Sequence, residues 1–216
     1  MSFKRLYKFY SEKSAMRNLE QRRLKISRLQ DINDPFEWNP YRLDKAEDRK
    51  TWEKLREQLW RDKGLISFSD RWSNPVLWSH YAESHKGLCL GFDISDKIAF
   101  PVLYKNIRQK LPSLQQIANE RDWESLKDAS LIKYSHWRYE TEWRILTGIS
   151  SKEEEGLYFE PFSGKLKLKE VIIGAHSSAK SEEIRKLVGE DVEISTARLA
   201  FKTFKVTKQW DKGLQK

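Results

Sequence analysis

The apolar residues of this chain arrive in short runs, none longer than a buried strand. The longest, around Leu88-Cys89-Leu90 and Val171-Ile172-Ile173, are closed off by glycines or charges. Runs of that length suit strands packed on both faces. They exclude a membrane-spanning helix, which needs roughly 20 consecutive apolar residues. Between them lie charged stretches with apolar residues at helical spacing. Over 216 residues, with no repeat and no low-complexity linker, this pattern predicts an α+β fold. The expectation is a single domain, residues 1–216, with a mixed, largely antiparallel sheet and flanking helices.

The elements follow from local chemistry. Arg5 to Tyr10 reads as a strand, and Ser11 as the N-cap of a helix over Glu12 to Arg23. Leu24 to Leu29 alternates and is a second strand. Asn33-Asp34-Pro35-Phe36-Glu37 is a turn, because Asn and Asp side chains bond nearby backbone and Pro35 disfavours helix at Asp34. Asp44 to Lys63 carries Trp52, Leu55, Leu59 and Trp60 at helical spacing, with Gly64 as its stop. Leu65 to Ser69 is a strand, Pro75 to Ala82 a helix, and Leu88 to Ile94 a strand entered after Gly87. Pro101 to Tyr104 reads as a strand, Ser113 to Lys133 as a helix and Tyr139 to Thr147 as a strand. An acidic turn follows at Glu153-Glu154-Glu155-Gly156. Leu166 to Gly174 is a strand and Ala179 to Val188 a helix. Val192 to Ser195 and Thr203 to Val206 are late strands.

Charge and cysteine usage narrow the setting. Lys and Arg number 41 against 32 Asp and Glu, a formal net charge of +9. The cations are interleaved with carboxylates, as in Lys45-Ala46-Glu47-Asp48-Arg49-Lys50, so an acidic partner such as nucleic acid is allowed without being indicated. No membrane partner is expected, and the oligomeric state is open. The opening MSFKRLYKFYSEKS lacks the apolar core of a secretory signal. The lone Cys89 can form no internal disulfide and reads as a small buried hydrophobe in a reducing cytoplasm.

Three groups carry chemistry by residue type. In Glu140-Thr141-Glu142, strand alternation puts Glu140, Glu142 and Arg144 on one face and Tyr139, Thr141, Trp143 and Ile145 on the other. Such a pair is either a solvated face with Arg144 as counter-ion or a carboxylate pair in a cleft, one holding a hydroxyl and one taking a proton. As a structural residue, Glu142 would lose only a repulsion on replacement by Gln. The second group is Trp78-Ser79-His80-Tyr81 with His85. A continued helix sets Tyr81 and His85 on one side, with His85 the more exposed histidine. No third ligand stands at metal spacing, so no metal is expected there. The third is the Asn33–Glu37 turn, where Asp34 and Glu37 could meet a divalent cation but lack EF-hand spacing. No Gly-rich phosphate loop, GxSxG or HExxH occurs.

Several segments, in order, resemble a widespread bacterial family designated domain of unknown function 2971. They are Leu6-Tyr7-Lys8-Phe9, Asn33-Asp34-Pro35-Phe36-Glu37, Ser67-Phe68-Ser69, Leu77-Trp78-Ser79-His80-Tyr81-Ala82 with His85 and Gly87, Gly91-Phe92, and Tyr139-Glu140-Thr141-Glu142-Trp143-Arg144. More distantly, Lys8, Ser67 or Ser69, and Glu140-Thr141-Glu142 resemble the ordered motifs of ADP-ribosyltransferase-like domains. Lys8 departs from the Arg or His usual there, and Phe68 replaces the central Thr. That resemblance implies a split sheet and NAD as substrate. It casts Glu142 and Glu140 as catalytic carboxylates, with Lys8, Ser67, Ser69, Tyr81 and His85 around the nucleotide. By the same likeness Glu142 holds the ribose 2′-hydroxyl, Glu140 activates an acceptor and Ser69 supports the glutamate. Lys8 meets the pyrophosphate, and a role in bacterial defence or as a toxin is implied. Two readings compete: a non-enzymatic nucleic-acid or protein-binding module, and a metal-dependent nuclease using Asp34, Glu37 and Glu142.

Overall fold

A computed structural model describes residues 2–28, 32–113, 123–149 and 156–216. Ten of its strands form one sheet of order β12-β11-β10-β4-β1-β3-β2-β9, with β8 on β3 and β5 on β8. The strands are β1 (Phe3–Tyr10), β2 (Arg23–Arg28), β3 (Lys63–Ser69), β4 (Leu88–Ser95), β5 (Ala99–Pro101), β8 (Glu142–Gly148), β9 (Tyr158–Pro161), β10 (Leu166–Ile173), β11 (Glu193–Leu199) and β12 (Val206–Lys208). Only β10 and β11 pair in parallel within it; the other pairings are antiparallel. A separate parallel pair joins β6 (Leu103–Lys105) to β7 (Ile132–Tyr134). The mixed, mostly antiparallel α+β class expected from the sequence is the one observed.

Strands β4 and β10 sit mid-sheet, and their residues alternate between two cores. Leu88, Leu90, Phe92, Ile94, Val171 and Ile173 join Ala15 and Leu19 of α1 (Glu12–Gln21) and Ile184 of α5 (Ser181–Val188). On the opposite face Cys89 and Ile172 pack with Phe9 and with Leu77 and Trp78 of α3 (Pro75–Tyr81). Burial on both faces is why these runs read as continuously apolar. Trp52 and Leu55 of α2 (Ala46–Asp62) close a third cluster over Trp38, Tyr41 and Leu65. Cys89 is fully buried and unpaired. Among the described residues no helix is long and apolar enough to cross a membrane.

Capping sets the helix boundaries. The Ser11 hydroxyl accepts the Ser14 N–H at the start of α1, and Asn74 does the same for Val76 before Pro75. Helix α1 stops at Gln21, two residues early, because Arg22 turns left-handed and Arg23 already belongs to β2. Gly64 does not end α2 but lies within β3, where a Cβ would strike Ile26 and the Ser27 carbonyl of β2. Of the Ser113–Lys133 helix, α4 (Trp123–Ser130) is the described part, ending three residues before Lys133; residues 114–122 lie outside the described residues. Ile132-Lys133-Tyr134 is strand instead. Pro101–Tyr104 divides between β5 and β6, because Val102 bonds the Glu142 carbonyl between them. The Glu153–Gly156 turn falls mostly outside the described residues, as does Leu29, and β9 had no sequence expectation.

The second edge of β3 is shared. At one end Tyr7 of β1 pairs with Ser69; at the other Ser27 and Arg28 of β2 pair with Leu65 and Gly64. From Ile66 to Phe68 that edge has no strand partner among the described residues, and the sheet opens.

Gly87 marks a second crowded approach: it receives the Gly174 N–H, and a Cβ there would collide with the Tyr10 carbonyl oxygen. Gly87→Ala should cost about 3 kcal/mol in urea unfolding. Gly164→Ala, at a position facing open space, should change stability by less than about 1 kcal/mol.

Candidate active site

The opening between β1, β2 and β3 leads into a cavity of about 260 Å³ whose lining includes Lys8, Ser67, Ser69, Tyr81, Glu140 and Glu142. Six of the seven residues singled out from the sequence therefore meet in one place. His85 does not.

The floor of the cavity is a buried ionic cluster. Lys133 Nζ lies 2.6 Å from Glu140 Oε2, 3.0 Å from Glu142 Oε2 and 3.1 Å from Glu37 Oε1. Arg144 grips Glu142 with two N–H donors, Nε to Oε1 at 2.8 Å and Nη2 to Oε2 at 3.0 Å. The same guanidinium bonds Glu37 and, at 2.5 Å, the Ser130 carbonyl at the end of α4. Three carboxylates thus face two cations, leaving one formal negative charge in excess. All five side chains are almost fully shielded from solvent.

Each member arrives by a distinct device. Arg144 follows Glu142 by two residues on β8, hence the shared face. Glu140 is not on that strand: Ser135–Glu140 is a 3₁₀ helix, and Thr141 is left-handed at φ 44°. A positive φ at a β-branched residue needs support from its surroundings. Thr141 has it, because its hydroxyl meets Ser69 Oγ at 3.1 Å and its carbonyl accepts the Asp70 N–H. The strand expected over Tyr139–Thr147 therefore begins only at Glu142, and its solvated face is a buried one.

The backbone of Glu142 is clamped as well. Its N–H donates to the Tyr104 hydroxyl at 2.8 Å and its carbonyl accepts the Val102 N–H. The Asn33–Glu37 turn forms as expected, with Asp34 accepting the Phe36 N–H at 2.9 Å, and it delivers Glu37 to the cluster. Asp34 is spent on that turn. Glu37 and Glu142 already hold Lys133 and Arg144, so a divalent cation would have to displace both. Among the described residues no set of three His, Cys, Asp or Glu side chains is arranged to hold a metal.

The two glutamates are driven apart. Burial pushes the Glu142 carboxyl up, but Arg144 and Lys133 outweigh it and bring its pKa down to about 2. For Glu140 burial prevails over Lys133, and its pKa is raised. The Tyr81 hydroxyl donates to Glu140 Oε1 at 2.5 Å; burial and that bond hold the phenol far from ionisation. Lys133 is kept charged, because its three carboxylate partners overcome the desolvation that opposes it. Across the cavity Lys8 Nζ donates to the Ser67 carbonyl at 2.9 Å, inside the unpaired stretch of β3. Desolvation lowers the pKa of Lys8 to about 8, with Glu142 partly offsetting.

Three expectations change on contact with this geometry. Ser69 does not support a glutamate: its hydroxyl bridges Arg71 and Thr141. His85 leaves the face of Tyr81 because α3 ends there and Glu83, Ser84 and His85 are all left-handed. Its ring stacks on Trp78 and faces His176, while His80 is the more exposed of the pair His80 and His85, the reverse of the sequence expectation. Glu142 is paired rather than merely repelled, so its replacement removes bonds. Lys133 was not recognised from the sequence, and Glu37, singled out there as a possible cation ligand, pairs with Lys133 and Arg144 instead. The β-type triplet Ile132-Lys133-Tyr134 was the available signal.

Comparison of the chain with protein-family models, with curated proteins and with solved structures returns no match.

Removing a cation from this cluster leaves buried carboxylates unpaired, at about 3–5 kcal/mol. Arg144→Leu should destabilise by that amount, and Glu142→Gln by about 2–3 kcal/mol. The depressed Glu142 contributes stability that is present above its unfolded value of 4.5 and lost as pH falls toward about 2. Glu140, raised, acts in the opposite sense and opposes folding at neutral pH. Thermal melts from pH 2 to 7 should show Glu140→Gln as stable as wild type or more so at pH 7, and Glu142→Gln losing much of the acid-side slope.

Proposed function

We propose that this cavity is the active site of an ADP-ribosyltransferase-like enzyme, of the domain of unknown function 2971 type. It would cleave the nicotinamide–ribose bond of NAD and pass ADP-ribose to an acceptor. The observation that carries this reading is a pair of buried carboxylates lining one cavity with unlike partners: Glu142 is gripped by the Arg144 fork and Lys133, which hold it low, while Glu140 has Lys133 and the Tyr81 hydroxyl, and burial raises it. Pairs separated in this way divide acid–base labour between them.

Glu142, permanently ionised, suits the positive charge that develops at ribose C1′ as the glycosidic bond lengthens. A remaining lone pair can accept a bond from a ribose hydroxyl. Nicotinamide departs with the electrons of the broken C–N bond, the acceptor's nucleophile forms the new bond to C1′, and Glu140 takes the acceptor's proton. Tyr81, half-exposed above Glu140, offers an aromatic cover. Lys8 faces the same space from β1 and supplies a point charge for the pyrophosphate. The cavity, about 260 Å³, is smaller than the roughly 300–1,000 Å³ usual for whole ligands. It suits the nicotinamide–ribose half, with the rest of the dinucleotide along its open side. A reducing cytoplasm agrees with the buried free thiol of Cys89.

The test is nicotinamide release from NAD, with water, protein and oligonucleotide offered as acceptors. Glu140→Gln should lower turnover by about 100-fold or more without lowering the melting temperature, which separates chemistry from folding. KM for NAD should rise above pH about 8 as Lys8 loses its proton, and that rise should vanish in Lys8→Met. Wild-type protein that neither binds nor cleaves NAD, or full turnover in Glu140→Gln, would refute the reading.

A further inference from the structure

The loop joining β11 to β12 is unlike the rest of the surface. Phe201 and Phe204 are 92% and 99% exposed, and Trp210, just beyond β12, is 74% exposed. From Arg198 to Lys208 the sequence RLAFKTFKVTK contains four cations and no carboxylate, although carboxylates are interleaved elsewhere. Lys208 is spent on Glu170 and Glu193. Lys202 and Lys205 have no carboxylate partner among the described residues. Arg198 carries its guanidinium over the Phe201 ring, 4.8 Å from the centroid. The loop is folded, with Ala200 bonding the Lys205 carbonyl and Lys205 the Thr203 carbonyl. It is also anchored, because the Val206 N–H donates to the Ser73 carbonyl at 2.9 Å. A groove runs between this loop and Trp72, lined by Ser73, Arg198, Phe201, Thr203 and Thr207.

We propose that this basic, aromatic hairpin binds single-stranded nucleic acid. Exposed rings set between cations match the two repeating parts of a single strand, since bases stack on the rings and phosphates meet the ammonium and guanidinium groups. The groove walls add hydroxyl donors for phosphate oxygens. A lipid surface would be met by a contiguous apolar tip, whereas here each phenylalanine is followed by a lysine and Phe201 shares the groove with Arg198, Lys202 and Lys205. The proposal requires no chemistry at Glu142. It does place the strand beside the cavity, because the Asp70–Asn74 turn is shared. Ser73 holds the hairpin, while Asp70 bonds Thr141 and Asn74 bonds the Tyr139 carbonyl.

The experiment is fluorescence anisotropy of the full chain with labelled single-stranded DNA and RNA of about 15 nucleotides. Matching duplexes and vesicles of phosphatidylcholine with phosphatidylserine serve as further arms. Binding to single strands should weaken with salt on a log–log slope of about −2, three cations at about 0.7 each. Phe201→Ala with Phe204→Ala should weaken it on the order of tenfold per ring. Lys202→Glu with Lys205→Glu should nearly abolish it. Neither pair should move the melting temperature, since the side chains are exposed. Absent binding at low salt, binding unchanged in both double variants, preference for duplex, or attachment to vesicles but not oligonucleotides would each overturn the proposal.

Discussion

Five charged side chains closed off from water are the constraint on which this architecture turns. Lys133 and Arg144 hold Glu37, Glu140 and Glu142, and each comes from a different piece of chain or a different local geometry. The cluster ties the Asn33–Glu37 turn, the end of α4, β7, the 3₁₀ helix and β8 to one point. Desolvating five charges costs more than packing apolar residues of the same volume, so stability alone does not account for such a centre. What an apolar core could not supply is a fixed, water-excluded negative charge facing a cavity.

The cavity itself is a consequence of strand pairing. β3 keeps β8 along the whole of one edge, but β1 and β2 divide the other and leave Ile66 to Phe68 unpaired. An open backbone acceptor in a sheet must find a donor. Lys8 provides it at the Ser67 carbonyl. A lysine that completes the sheet is thereby fixed on the same cavity as Glu142, with desolvation lowering its pKa to about 8. Both the gap and the lysine are needed: a continuous β1–β3 ladder would remove the space, and an apolar residue at position 8 would leave the carbonyl bare.

Much of this was legible in the sequence because it rests on local rules. The cap at Ser11, the Asx turn at Asp34 and the short apolar runs of β4 and β10 are decided within a few residues of themselves. The convergence of Lys8, Ser67, Tyr81, Glu140 and Glu142 was reached through resemblance and order along the chain. The misreadings share one cause, which is that tertiary contacts overrode local pattern. Thr141 interrupts a perfect strand alternation because Ser69 and Asp70 hold it in a left-handed turn. Lys133 followed a helical stretch and was read with it, although pairing with β6 makes it strand. Glu37 looked like a turn residue and is one, but nothing within the turn says that its side chain travels to a lysine 96 positions away.

The turn from Asp70 to Asn74 gives this arrangement a mechanical logic. On one side it fixes Thr141, and through it the directions of Glu140 and Glu142; on the other it accepts the hairpin through Ser73. Asn74 adds a bond to the Tyr139 carbonyl, one residue before Glu140, and caps α3, which carries Tyr81. The hairpin is therefore joined to the neighbours of the carboxylates through one short turn. It meets a short segment whose backbone bonds run directly to the residues flanking both. A polymer lying in the groove beside Trp72 would bear on the same segment that orients the charged floor of the cavity. Thr141, left-handed at φ 44° and held there by Ser69 and Asp70, is the point where that segment meets the two carboxylates.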